Sequence, residues 1–208
     1  VCSSDLQMQK RWKNWVMDLS ITGKVNQQEE TTTSSANVIL VLDVSTSMDE
    51  SFGSGTRLAA VKTAANSLVD AMPNAAGVEM SVISFGGSVA TNVTWTTIST
   101  DAIKTQIKNT ISGLTTNTGT NWTDALSTAK NLADNKKNSG DTDPTFIIFL
   151  TDGCPTTNKS KQHSHGRTGT TNVNDTCISD PLATMAEMVT TGYNIYGIYA
   201  NTTSDNTK

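Results

Sequence analysis

The sequence predicts a three-layer α/β fold, with a mostly parallel central sheet, one antiparallel edge strand and helices on both faces. Three observations predict it. Residues 37–43 and 145–150 are continuous apolar runs, as expected of strands buried on both faces. Strand-like and helix-like segments alternate along the chain, the pattern of parallel strands joined by crossover helices. Two adjacent strand-like stretches are separated by little more than Gly86-Gly87, a turn that fits an antiparallel pair.

Each element has its own signal. Residues 1–36 read as a flank: Val1 to Leu6 is set aside as a scar, Met17, Leu19 and Ile21 alternate like a strand, and 27–36 has the Thr/Ser-rich composition of a linker. The domain is then expected over 37–208, opening on the strand at 37–43. Residues 57–72 place Leu58, Val61, Ala65, Leu68 and Met72 on one helical face, and Pro73 ends that helix. Strands follow at 78–85 and 89–97. Ile103, Ile107 and Ile111 recur at four-residue spacing in a helix over 101–111. A further helix over 121–134 turns Trp122, Ala125, Leu126, Ala129 and Leu132 inward. After the strand at 145–150 comes a polar loop over 154–180. A helix over 181–191 has Leu182, Met185 and Val189 on one face, and the last strand spans 194–200.

Composition excludes some functions. The chain has 208 residues, enough for one such domain, and a formal net charge of −4 without a dense Lys/Arg block. A nucleic-acid partner would need a basic stripe to meet phosphates. The longest apolar run, 38–42, is far below the roughly 20 residues that span a bilayer. The first residues show no basic-plus-apolar signal pattern. A surface rich in uncharged Thr, Asn and Ser suits a secreted or cell-surface protein.

In open parallel sheets, ligands bind beyond the carboxyl ends of the strands. Asp43, Ser45 and Ser47 directly follow one buried strand, and Asp152 follows another. Thr120 opens a helix nearby in the chain's order of elements. Alternate residues of an extended turn point the same way, so Asp43, Ser45 and Ser47 are expected to converge. Two carboxylates and three hydroxyls form an all-oxygen set, preferred by a hard cation: Mg²⁺, with Ca²⁺ and Mn²⁺ as alternatives. Taken alone, Asp43, Ser45 and Ser47 would read as a polar turn that caps the next helix.

The motif Val41-Leu42-Asp43-Val44-Ser45-Thr46-Ser47-Met48, followed by Arg57-Leu58-Ala59-Ala60-Val61-Lys62, Gly119-Thr120-Asn121 and Leu150-Thr151-Asp152-Gly153, resembles the von Willebrand factor A family over residues 37–200. That resemblance implies a Rossmann-like fold carrying a metal-ion-dependent adhesion site. By it, Ser45, Ser47 and, in a high-affinity state, Thr120 contact the metal, and Asp43 and Asp152 hold it directly or through water. A Glu or Asp of a protein partner, from host extracellular matrix or a partner subunit, completes the shell. Thr46 stands where many bacterial members have Gly. Asp18 to Lys24 is similar to a strand that precedes the domain in Gram-positive surface proteins and pilus-tip adhesins, implying an extracellular, cell-surface or cell-wall location. The family adds a helix after the last strand, so the resemblance implies a domain cut before it.

Enzyme readings find less support. A strand-end phosphotransferase would want a second acid where Ser45 stands. A dinucleotide fold would want glycines there, and no Gly-x-Ser-x-Gly elbow occurs. No evident base accompanies the metal set, so the expectation is a binding domain and not an enzyme. His163 and His165 read as solvated loop residues. Of three cysteines, Cys154 and Cys177 flank the polar loop and are the expected disulfide, with two free thiols as the alternative. That loop is expected to shape partner specificity, or else to be a plain surface insertion. Asn-x-Ser/Thr triplets begin at Asn92, Asn121, Asn158, Asn174 and Asn201 and read as chance in an Asn/Thr-rich chain.

Overall fold

The computed structural model describes residues 35–158, 163–166 and 169–200. The flank at 1–34, with its strand-like Met17 to Ile21 and its surface-protein resemblance at Asp18 to Lys24, lies outside the described residues.

Strand β1 (Ala36–Asp43) runs through the middle of the molecule, with Ile39, Leu40, Val41 and Leu42 all 0 % exposed. A 3₁₀ turn (Thr46–Asp49) and a short hairpin of β2 (Ser51–Phe52) and β3 (Gly55–Thr56) lead into α1 (Arg57–Ala71). Then come β4 (Val78–Phe85), β5 (Val89–Thr97), α2 (Asp101–Ser112) and α3 (Trp122–Asn138). Strand β6 (Thr145–Thr151), the small pair β7 (Thr157–Asn158) and β8 (His163–Ser164), α4 (Thr176–Thr191) and β9 (Asn194–Tyr199) complete the order.

The main sheet has the order β5-β4-β1-β6-β9. Strands β4, β1, β6 and β9 are parallel, and β5 pairs antiparallel with β4 at the edge. Because side chains alternate across a strand, β1 feeds two cores. Val38, Leu40 and Leu42 pack with Leu58, Val61, Ala65 and Val69 of α1 and Ile107 and Ile111 of α2. Ile39 and Val41 face the other way, toward Ala125, Leu126, Ala129 and Ala133 of α3 and Met188 of α4. This is the three-layer α/β architecture with one antiparallel edge.

Helix starts follow side-chain caps. Thr56, Thr100, Asn121 and Asp175 each accept a hydrogen bond from a backbone N–H of the first turn, from Ala59, Ile103, Asp124 and Cys177 respectively. The Asp175 cap corrects one boundary. Helix α4 begins at Thr176, not at 181, and carries Pro181 inside it. Its inward face is also rotated: Cys177, Pro181 and Met188 are buried, while Leu182 and Val189 are 42 % and 63 % exposed. In α1, Val69 is buried where Leu68 was expected, and Leu68 only flanks the core.

Candidate metal centre

Strand register assembles the site. Leu42 of β1 lies opposite Leu150 of β6, so Asp43 and Thr151 emerge side by side at the carboxyl edge of the sheet. Between them passes the change of direction in strand order: the chain leaves β1 toward β4 and later returns on the other side as β6. Ligand crevices form at such positions.

Asp43 is completely buried. Its Oδ1 accepts from the Ser45 backbone N–H at 2.7 Å, and its Oδ2 accepts from the Thr151 hydroxyl at 2.6 Å. Ser45 is extended and forms a bridge with Asn117, and the chain then turns into the 3₁₀ segment. Convergence of the serines therefore comes from this turn and not from a continuous extended strand. The Ser45 and Ser47 hydroxyls are 3.0 Å apart, and Ser47 Oγ donates to Asp152 Oδ1 at 2.8 Å. One connected set thus runs from Ser45 through Ser47 to Asp152, with Asp43 bonded to the Ser45 backbone.

Thr120 is placed by its backbone. Its N–H donates to Thr156 Oγ1 at 2.8 Å, and its carbonyl accepts from the Thr156 and Thr157 N–H groups. Among the described residues, no hydrogen bond joins its hydroxyl to the other four groups. Its loop reaches the site by close backbone approach. Gly87 N donates to the Thr118 carbonyl, and Asn121 N donates to the Gly86 carbonyl. Gly119 has φ +87°, and a Cβ there would stand 2.9 Å from Gly87 Cα, so both conformation and space require glycine.

Charge is distributed unevenly. Arg57 Nη1 is 2.9 Å from Asp152 Oδ2 and 2.8 Å from Glu50 Oε2. Among the described residues, no Lys or Arg pairs with Asp43. Burial pushes its carboxyl up to about 6; the Thr151 and Ser45 hydrogen bonds pull the other way, and repulsion from Asp152 adds to the rise. Low polarity around it has a visible source: Phe85, its register partner on β4, stacks on Phe149 at 5.1 Å, and Trp122 meets Phe149 edge-on. A buried, oxygen-rich set that includes an uncompensated carboxylate has the donor chemistry of a hard divalent cation. Asp43, Ser45, Ser47 and Asp152 can hold one, with Thr120 on the adjoining loop.

Two working residues of the site stand within the motif without a role assigned by it. Thr151, between Leu150 and Asp152, orients Asp43. Arg57 neutralises Asp152. A positive side chain at the first residue of a helix opposes the helix dipole, and that anomaly is the sequence signal for Arg57. The expected Cys154–Cys177 disulfide is not formed. Cys177 is a free thiol, buried within the first turn of α4. The early start of α4 turns Cys177 inward, away from a loop-spanning bridge. His165 is not simply solvated either: its Nε2 lies 2.9 Å from Asp175 Oδ2. Asn121 and Asn158 are buried, 0 % and 4 % exposed, which removes them as glycan acceptors in the folded chain.

Known proteins point to the same architecture. A family model described as von Willebrand factor type A domain matches residues 38–155, more than half of the chain. Comparison with curated proteins yields no match. Among solved structures, the pilus adhesin SpaC of Lactobacillus rhamnosus GG aligns with a TM-score of 0.60 and 17 % identity, over 82 % of this chain and 25 % of that one. Proximal thread matrix protein 1 from the mussel byssus aligns at 0.55 and 18 %, over 80 % and 36 %. The PilB minor pilin from Streptococcus sanguinis aligns at 0.51 and 19 %, over 62 % and 32 %. At these identities the likeness is one of fold. The chain spans about a third of the pilin's length and a quarter of the adhesin's.

Proposed function

The chain belongs to the von Willebrand factor type A family, and from that premise we propose that it is a metal-dependent protein-binding domain of a cell-surface protein. Asp43, Ser45, Ser47, Thr120 and Asp152 would hold a divalent cation, Mg²⁺ before Ca²⁺ or Mn²⁺. When bound, the cation supplies an electrophilic centre that accepts a Glu or Asp carboxylate from the partner.

The observation that carries this reading is the oxygen set at the ends of β1 and β6, with a buried Asp43 carboxyl raised to about 6. The chain's own residues divide the work. Thr151 and the Ser45 N–H fix both oxygens of Asp43. Ser47 ties the serine pair to Asp152. Arg57 takes up the charge of Asp152, so the set does not repel a second carboxylate as strongly as two bare acids would.

Binding is favoured over hydrolysis. Arg57, the basic group in hydrogen-bond contact with this set, cannot deprotonate water. Asp43 has each oxygen already accepting a hydrogen bond, from the Ser45 N–H and the Thr151 hydroxyl, and serves to anchor the set. Among the described residues, no helix is long and apolar enough to cross a membrane. A second reading, an assembly module that holds a neighbouring subunit of a surface fibre through the same site, draws on the likeness to SpaC, a pilus adhesin, and PilB, a minor pilin. Binding to purified matrix proteins or to sibling subunits, each with and without EDTA, separates the two.

Isothermal titration with Mg²⁺ tests the metal claim. Wild type should bind one ion at this site, and Asp43→Ala should bind at least tenfold more weakly. Equal binding by both proteins would refute the reading.

A further inference from the structure

We propose that His165, Asp175 and Cys177 form a second metal site, chemically unlike the first and suited to Zn²⁺. One ligand atom from each residue, a ring nitrogen, a carboxylate oxygen and a thiol sulfur, lies within 4.8 Å of the other two. Ordinary Zn–N, Zn–O and Zn–S bonds in a tetrahedral shell set ligand atoms about 3.3–3.8 Å apart. Side-chain adjustments of about 1 Å therefore bring the three onto one ion.

The donor types select the metal. Nitrogen, oxygen and sulfur together form a borderline set, preferred by Zn²⁺ and poorly matched to Mg²⁺ or Ca²⁺. One thiolate, one carboxylate and one neutral imidazole also cancel the ion's charge, which suits a partly buried location. Access is one-sided. Cys177 is fully buried, whereas the His165 and Asp175 side chains keep 27 % and 13 % exposure. An ion would enter past His165, and water would complete the shell.

The local scaffold is fixed before any ion arrives. Asp175 caps α4 through its Oδ1, which accepts from Cys177 N at 2.8 Å, leaving Oδ2 directed at His165. The His165 N–H donates to the Thr156 carbonyl at 2.6 Å, and Thr170 N–H donates to the Pro155 carbonyl at 3.1 Å. Asn158 Nδ2 donates to Thr176 Oγ1 at 2.7 Å, tying β7 to the first turn of α4. A helix cap and an ion pair account for Asp175 and His165 as a pair. The Cys177 thiol also hydrogen-bonds the Asp175 carboxylate, so all three donor groups already converge on one point.

Co²⁺ serves as the probe, because thiolate ligation gives it an intense near-ultraviolet charge-transfer band. The whole chain is titrated with Co²⁺ in excess Mg²⁺ and without thiol reductant. Wild type should develop the band at one equivalent, and Zn²⁺ should abolish it by competition. Asp43→Ala should keep the band, which separates this site from the first. Cys177→Ser should lose it, and His165→Ala, a change in a half-exposed loop residue, should weaken Co²⁺ binding at least tenfold while leaving circular dichroism unchanged. A wild type without the band, a band that survives Cys177→Ser, or unaltered affinity in His165→Ala would overturn the proposal.

Discussion

Asp43 carries a cost that pH should expose. Below about pH 4 its carboxyl is protonated in both the folded and unfolded chain. Between the ordinary value of 3.8 and about 6, only the folded chain retains the proton. The folded state binds more protons in that window, so stability falls as pH rises through it, and the loss is complete above about 6. The full effect is roughly 3 kcal/mol, an upper figure for a completely buried group. In EDTA at pH 7.5, Asp43→Asn should therefore unfold at higher urea than wild type, and the difference should vanish near pH 3.5. Identical urea midpoints at pH 7.5 would count against a desolvated carboxylate. Arg57 predicts the opposite sign. Its removal leaves the buried Asp152 carboxylate without its guanidinium, so Arg57→Ala should cost about 3–5 kcal/mol. Urea denaturation reads this directly, and a loss below 1 kcal/mol would show that solvent already screens the pair.

Elements were legible in proportion to how much of their signal is local. Strands β1 and β6 announce themselves because burial on both faces makes every residue apolar. Helix faces were read less well. A stripe built from Leu68 or Leu182 follows the apolar residues, but Val69 and Met188 are the ones that join the cores, and Cys177 is buried at the start of α4. The start of α4 was hidden by Pro181, which usually opens a helix, whereas Asp175 supplies the cap six residues before the expected start. Asp43, Ser45, Ser47 and Asp152 were legible as a group because each adjoins a strand end. Thr151 and Arg57 were not, since their partners lie 108 and 95 residues away. Lys104 is another long-range surprise: within α2 it is buried, and its ammonium donates to the Asp70 and Met72 carbonyls at the end of α1. Lys104→Met should lower stability by about 1–3 kcal/mol, because hydrogen bonds from a charged donor to otherwise uncapped carbonyls are lost. An unchanged thermal midpoint would show that water replaces the ammonium there. Gly119→Ala should cost a similar amount, about 1–3 kcal/mol, since φ +87° and the approach of Gly87 both oppose a side chain.

At the scale of the whole molecule, a ligand that binds only the folded chain stabilises it by mass action. One hundredfold excess over Kd corresponds to about 2.7 kcal/mol. Saturating Mg²⁺ should raise the Tm of wild type by several degrees and leave Asp43→Ala unmoved; an equal rise in both would place the ion elsewhere. The bond from Thr151 to Asp43 closes a span of 108 residues between parallel strands. Such a closure is late in folding, because long-range parallel pairing must overcome loop entropy before its contacts form. A chain emerging from the ribosome cannot own this site until Asp152 has been made and β6 has slotted beside β1. Register matters equally: a slip of one residue would turn Asp43 into the wrong layer. If the site takes the proposed cation, competence to grip it is a certificate of completed topology, withheld from every nascent or mispaired form of the chain.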